Sequence, residues 1–269
     1  MRSTNVIQAQ GRSRFMNMAD YPGFVEAIDL HFPGSVLEAE YIAETVSRLS
    51  GEGFSKDNTI ACVALCRDEV ARPLFTDVEQ VWGPAFSLAG LAGMVTAGRT
   101  GLAAAIHHAP LENGRRRFVI YAMAHIGIDA AGAIGWVDRP GIAEPSGACG
   151  ALVAFRNELQ EGTLTVEFDR YETEQSLLKH RLLPLIGYGN VPDLVDLTKL
   201  TVVAIEDDLR EILRSLAEEW RAADREMPAD VAMFSGIQIH GPDGVNLVWP
   251  LSTHLELDGD LRDYDFTAK

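Results

Sequence analysis

The sequence predicts a single α/β domain: a mostly parallel central sheet flanked by helices, with a hairpin at its C-terminal end. Three observations predict it. Two short, nearly continuous apolar runs, Asn58–Leu65 and Phe118–Ala124, read as strands buried on both faces, the kind found inside a parallel sheet. Stretches with apolar residues at helical spacing precede and follow them. Residues 231 to 240 and 245 to 256 alternate around Gly241-Pro-Asp-Gly244, the pattern of a hairpin.

Residues 1 to 20 read as a mobile N-terminal arm, and residues 21 to 269 as one domain, because no repeat, low-complexity tract or linker splits the chain. Ser35-Val-Leu-Glu38 has the spacing of a capping box. Leu37, Tyr41, Ile42, Val46 and Leu49 follow at helical intervals, and Gly51 and Gly53 end the helix. Residues 83 to 105 are rich in Gly and Ala, which suits turns and close backbone packing. Ile134–Val137 reads as a short strand. Ser146 reads as the N-cap of an apolar helix reaching about Gln160. A helix over about 207 to 224 gathers Leu209, Ile212, Leu213, Leu216 and Trp220 on one face.

Composition narrows the function. The chain has 269 residues and a formal net charge of −16, from 23 Lys+Arg against 39 Asp+Glu. That balance argues against nucleic acid and anionic membrane surfaces, both of which need clustered basic residues. No apolar run approaches the ~20 residues of a membrane span, and no secretory signal is evident. Three cysteines are too few for a disulfide framework, and an odd number points to free thiols, catalysis or metal in a cytoplasmic protein.

Cys62 and Cys66 lie roughly 13 Å apart on one extended strand, too far to share a metal, so Cys62 reads as a small buried hydrophobe. Cys66 closes the first strand and is followed by Arg67, Asp68 and Glu69. His125 directly follows the second apolar run, and Cys149 stands at a helix N-terminus, where thiolate is favoured. Functional groups of open α/β folds gather at such strand ends. Two Cys and one His with an open fourth position describe a catalytic zinc site. The plainer reading is two ordinary cysteines and a surface histidine, since no local CxxC or HxxH supports the cluster. Asp68 either caps the following helix or orients a metal-bound water.

Two rival motifs occupy the same region. Gly93 to Thr100 fits the phosphate-binding pattern G-x-x-x-x-G-K-[ST] except that Arg99 replaces Lys. An apolar run ending in Glu206-Asp207 would then supply an acidic strand end. Gly147-Ala-Cys149-Gly-Ala151 is close to a nucleophile elbow, which would make the protein a cysteine hydrolase with Cys149 as nucleophile and His125 as base. Adjacent His107 and His108 point ~100° apart on a helix and read as pocket wall or local bonding. His240 and His254 carry no motif and read as surface or packing residues.

At these residues the chain resembles the limiting-CO2-inducible B/C family, also described as theta-type carbonic anhydrases and related to the beta class. The matching stretches are Cys66-Arg-Asp68-Glu69, Gly90-Leu-Ala-Gly93 through Gly98-Arg99-Thr100-Gly101, His107-His-Ala-Pro110, His125-Ile-Gly127-Ile-Asp129 and Ser146-Gly-Ala-Cys149-Gly150, in the family's order across about 90 residues. The resemblance implies a beta-carbonic-anhydrase-like fold assembled as a homodimer, with Cys66, His125 and Cys149 as Zn2+ ligands. It implies an Asp–Arg dyad beside the metal, mapped to the catalytic residues Asp68 and Arg99, with Arg72 as the competing arginine. The implied function is a zinc lyase, a carbonic anhydrase interconverting CO2 and bicarbonate through zinc-bound hydroxide. The alternative is a catalytically silent zinc-binding homologue acting in inorganic-carbon binding or regulation.

Overall fold

A computed structural model describes residues 18–139, 141–187, 189–222, 229–257 and 260–263. Residues 1 to 17 of the expected N-terminal arm lie outside that set; Met18–Asp20 form one 3-10 turn leading into α1 (Pro22–His31). The chain then runs β1 (Val36–Leu37), α2 (Glu38–Gly51), β2 (Thr59–Ala64), α3 (Arg72–Trp82), β3 (Phe86–Ser87), α4 (Gly98–His108) and β4 (Arg116–Gly127). It continues with β5 (Trp136–Val137), β6 (Ser146–Gly147), α5 (Gly150–Glu161), α6 (Thr173–Ile186), α7 (Leu194–Ala222), β7 (Ala229–His240), β8 (Asn246–Leu257) and β9 (Asp260–Asp263).

The main sheet has the order β1-β8-β7-β4-β2-β3, with β9 also on β8. β3, β2, β4 and β7 are parallel, and β8 adds antiparallel to β7 as the expected hairpin. β4 is central and pairs with β7 along its full length, from Arg116↔Ala229 to Gly127↔His240. Its apolar run serves two cores. Phe118, Ile120, Ala122, Ala124 and Ile126 join the core under α4 to α7, and Val119, Tyr121 and Met123 join the core under α2 and α3. That two-sided burial is why the strand lacks polar alternation. The Tyr121 hydroxyl, wholly buried, shares a hydrogen bond with Thr45 of α2 (2.7 Å) and accepts one from Trp82 of α3 (3.1 Å). The β7–β8 register shifts at Ser235/Gly236, opposite Ser252 and Pro250. Pro250 has no N–H for the ladder, and Leu251 is left unmatched and exposed.

Several boundaries differ from expectation for local reasons. Ser35 does not cap α2: its hydroxyl donates to the Phe32 carbonyl, while Val36 and Leu37 pair with β8, so the helix starts at Glu38. Ser146 does not open α5 either. It pairs with Val137 in a two-stranded ribbon, and Cys149 takes the N-cap position. The 207 to 224 helix is the second half of the longer α7, which begins at Leu194 and is described to Ala222; the Trp220 side chain and residues 223 and 224 lie outside the described part. Glu206 sits inside α7, so no acidic strand end faces the Gly93 to Thr100 segment. No helix among the described residues is long and apolar enough to cross a membrane.

Candidate metal centre

Cys66, His125 and Cys149 come together at the C-terminal ends of the parallel strands. Cys66 follows β2 by two residues, His125 is third from the end of β4, and Cys149 immediately precedes α5. One donor atom from each lies within 4.8 Å of the others, and all three residues are buried. Cys62, inside β2, is also buried but takes no part. Burial alone pushes its thiol up to about 12.

Backbone close packing makes this convergence possible. The Gly127 N–H donates to the Ala148 carbonyl, the Ala148 N–H to the Gly135 carbonyl, and the Gly135 N–H to the Gly127 carbonyl. This closed ring of three bonds fixes the segment carrying Cys149 beside the end of β4. A Cβ on Gly127 would lie 2.5 Å from the Trp136 carbonyl oxygen, so only glycine permits the approach. Gly93 does the same for the Leu91–Gly93 turn: it has φ +87° and sits against the Met123 carbonyl. In that turn the Ala92 N–H donates to the Cys66 sulfur at 3.2 Å. Glu174 of α6 clamps the turn from outside, accepting from the Leu91 N–H (2.8 Å) and from Arg67.

The electrostatics set the two sulfurs apart. Cys66 is held well below the ordinary thiol range, because the Cys149 thiol donates to it, at 3.7 Å, and the Asp68 N–H adds to this against the cost of burial. The same contact and burial push Cys149 well up, against the pull of the Ala151 and Leu152 N–H groups at the start of α5. A cysteine nucleophile needs the opposite shift. His125 also turns its Nδ1 to His240 (3.1 Å) rather than serving Cys149 as a base, which disfavours the hydrolase reading.

The donor set fits a zinc ion on three observations. Two sulfurs on one tetrahedral zinc stand about 3.8 Å apart, from a Zn–S distance of about 2.3 Å, and the observed separation is 3.7 Å. His125 Nε2 is buried without a hydrogen-bond partner, an expensive state for a polar atom unless it holds a ligand. Two thiolates and one neutral imidazole are ligands that zinc accepts.

Asp68 stands beside Cys66 with both oxygens on Arg139, at 2.9 and 3.0 Å. It also accepts from the Val70 N–H and so caps the turn leading into α3, which makes both expected readings of Asp68 compatible. The expected pairing with Arg99 is not found. Arg99 is exposed on α4 and turned to α7, where it meets Ser215 and Glu219. Arg72, in the first turn of α3, is not bonded to Asp68 either; among the described contacts Arg139 fills that place. Arg139 also bonds Glu69, the Ser146 hydroxyl and the Gly147 carbonyl, so one guanidinium ties the Cys66 segment to the Cys149 segment. Its only sequence signal is a basic residue in a loop.

His240, expected as a surface or packing residue, lies against the cluster. It is buried and ends β7 directly beside the end of β4. Burial and the neighbouring His125 hold it down at about 3, so it stays neutral. Its Nδ1 lies 2.8 Å from Asn246 Oδ1. His254 bonds Glu206 at a distance from the centre in the fold, on β8, and His107 and His108 are exposed at the end of α4.

A family model described as limiting CO2-inducible proteins B/C beta carbonic anhydrases matches residues 35–256. Two crystal structures are similar over nearly the whole chain. One is of PtLCIB4, a homolog of the limiting CO2-inducible protein LCIB, at 26% identity, covering 90% of this chain and 100% of that one, with a TM-score of 0.75. The other is of LCIB itself, at 28% identity, covering 88% and 96%, with a TM-score of 0.70. No curated protein matches the chain.

Proposed function

The chain belongs to the family of limiting CO2-inducible proteins B/C beta carbonic anhydrases, and from that premise we propose that it is a zinc carbonic anhydrase interconverting CO2 and bicarbonate. The observation that carries the reading is the buried Cys66–His125–Cys149 cluster with an unpartnered His125 Nε2 and a bidentate Asp68–Arg139 pair next to it.

Cys66, His125 and Cys149 would hold the ion. A zinc ion held there would supply a Lewis acid able to acidify water at neutral pH. The chain's own residues do the rest. Asp68 accepts the hydrogen bond of the attacking water, which fixes the direction of its lone pair. Arg139 occupies both Asp68 oxygens and would keep the carboxylate from becoming a further ligand, leaving room for water beside the three donors. The N–H groups of Ala92 and Asp68 on the Cys66 sulfur draw charge from the thiolate and offset the basicity that two thiolates impart. Three free cysteines suit a reducing compartment, and the reading places the protein in the cytoplasm as a homodimer.

The test joins metal analysis to stopped-flow CO2 hydration. One zinc per chain and hydration that vanishes on metal removal and returns on zinc addition are expected. A metal-free chain that hydrates CO2, or a zinc-loaded chain inert from pH 6 to 9, would refute the reading.

A further inference from the structure

We infer that His240 is a positioning residue for the metal centre: with Asn246 it fixes the proton of His125 on Nδ1 and so presents Nε2 as the ligand atom. This rests on the zinc reading above.

Three side chains form one hydrogen-bonded line. His125 Nδ1 is 3.1 Å from His240 Nε2, and His240 Nδ1 is 2.8 Å from Asn246 Oδ1. An amide oxygen carries no hydrogen, so it accepts, and His240 Nδ1 must carry a proton. His240 is 2% exposed with no carboxylate bonded to it among the described residues, and a buried unpaired imidazolium is costly, so the ring is neutral. Its Nε2 then has only a lone pair and accepts from His125 Nδ1–H. That leaves His125 Nε2 without a proton, and Nε2 is the buried atom with no partner. Each donor in this line meets one acceptor, and the line ends at an unshared lone pair on His125 Nε2, beside the two sulfurs.

The fold has made this arrangement rigid. His125 and His240 are carried by β4 and β7, which pair as neighbours up to Gly127↔His240, and Asn246 opens β8 opposite His240. The two rings meet edge to face, with centroids 5.2 Å apart. A ligand imidazole held by its far nitrogen loses little freedom on binding metal, and such partners are commonly worth 10–100-fold in affinity.

The experiment measures zinc affinity by chelator competition in the full chain, with circular dichroism as the folding check. His240→Phe, which keeps the ring and removes the acceptor, is expected to bind zinc about 10- to 100-fold more weakly. His240→Gln, whose amide oxygen can accept from Nδ1–H, is expected to recover most of that loss. Histidine-selective 15N NMR of the zinc-loaded wild-type chain is expected to place the His125 proton on Nδ1. A proton on Nε2, wild-type affinity in His240→Phe, or His240→Gln as weak as His240→Phe overturns the inference while leaving the zinc reading intact. A wild-type chain that takes no zinc overturns both.

Discussion

Arg139 reaches Asp68 with a single guanidinium nitrogen, 2.9 Å from one carboxylate oxygen and 3.0 Å from the other, although 71 residues separate them in the chain. The same side chain holds Ser146 and Gly147, so the dyad and the approach to Cys149 share one anchor.

Asp68→Asn and Arg139→Ala should each lower kcat/KM for CO2 hydration by about 100-fold or more, in the range of a lost proton-handling group. Arg139→Lys should not restore it, because one ammonium placed on the Asp68 carboxylate cannot also hold Glu69, Ser146 and Gly147, which Arg139 reaches through its other two nitrogens. Arg99→Ala should stay within about twofold, as expected of an exposed ion pair. Stopped-flow rates on samples of equal zinc content decide it. Loss of activity in Arg99→Ala with retention in Arg139→Ala would reverse the assignment.

Cys149→Ser should take up less than about a tenth of the wild-type zinc, because a hydroxyl does not ionise to replace the thiolate. Cys62→Ala should bind zinc normally and cost about 1 kcal/mol, the loss of one small buried group. Elemental analysis after dialysis against a weak chelator separates them, and equal zinc content in the two variants would refute the ligand set.

Glu38 gives the stability a pH signature. It is buried at the start of α2, and although Gln238 donates to it at 2.7 Å, burial dominates and its carboxyl is pushed up to about 7 from an ordinary 4.5. The folded state therefore binds the proton more tightly than the unfolded state. The stabilisation is fully present below about pH 4.5 and is lost as the pH rises through 7. At about 1.4 kcal/mol for each pH unit the difference is on the order of 3 kcal/mol. Glu38→Gln should flatten that part of the curve and be the more stable protein at pH 8, since its amide can also donate to Gln238 Oε1, which is buried without a partner. Urea titrations at pH 5, 6, 7 and 8 check this; parallel curves for the two proteins would refute it.

Gly127→Ala should destabilise the fold by about 1–3 kcal/mol, the usual cost of overpacking. It should also weaken zinc binding, because Trp136 must retreat and the bonds joining Gly127, Gly135 and Ala148 open with it. Denaturation together with zinc competition reads both effects, and a variant that loses stability at unchanged zinc affinity would show that the ring does not position Cys149.

The parts of this architecture that were legible in the sequence are those written in period or at an element end. β2, β4 and the β7–β8 hairpin carry long apolar or alternating runs, and Cys66, His125 and Cys149 stand where such runs stop. The misplaced helix starts have one cause: Ser35 and Ser146 have the chemistry of caps, but Leu37 and Gly147 were taken into strand pairs, and ladder bonds outrank a cap. Arg139 and His240 had no local pattern to betray them. Arg139 sits in an irregular loop, and His240 becomes the neighbour of His125 only when β7 is laid parallel to β4. Such relationships lie in the pairing of distant segments, where a single sequence carries no period to read.

The loop that carries Arg139 has exposed neighbours, among them Ile142, and lies between two ribbon strands of two residues each. Surface loops drift faster over generations than strand ends do. On the proposed reading, a descendant gene could keep Cys66, His125 and Cys149 within the core and still lose CO2 hydration through one codon change at position 139. On that reading the cysteine–histidine–cysteine set would identify the metal site, and the residue at position 139 would identify a working enzyme.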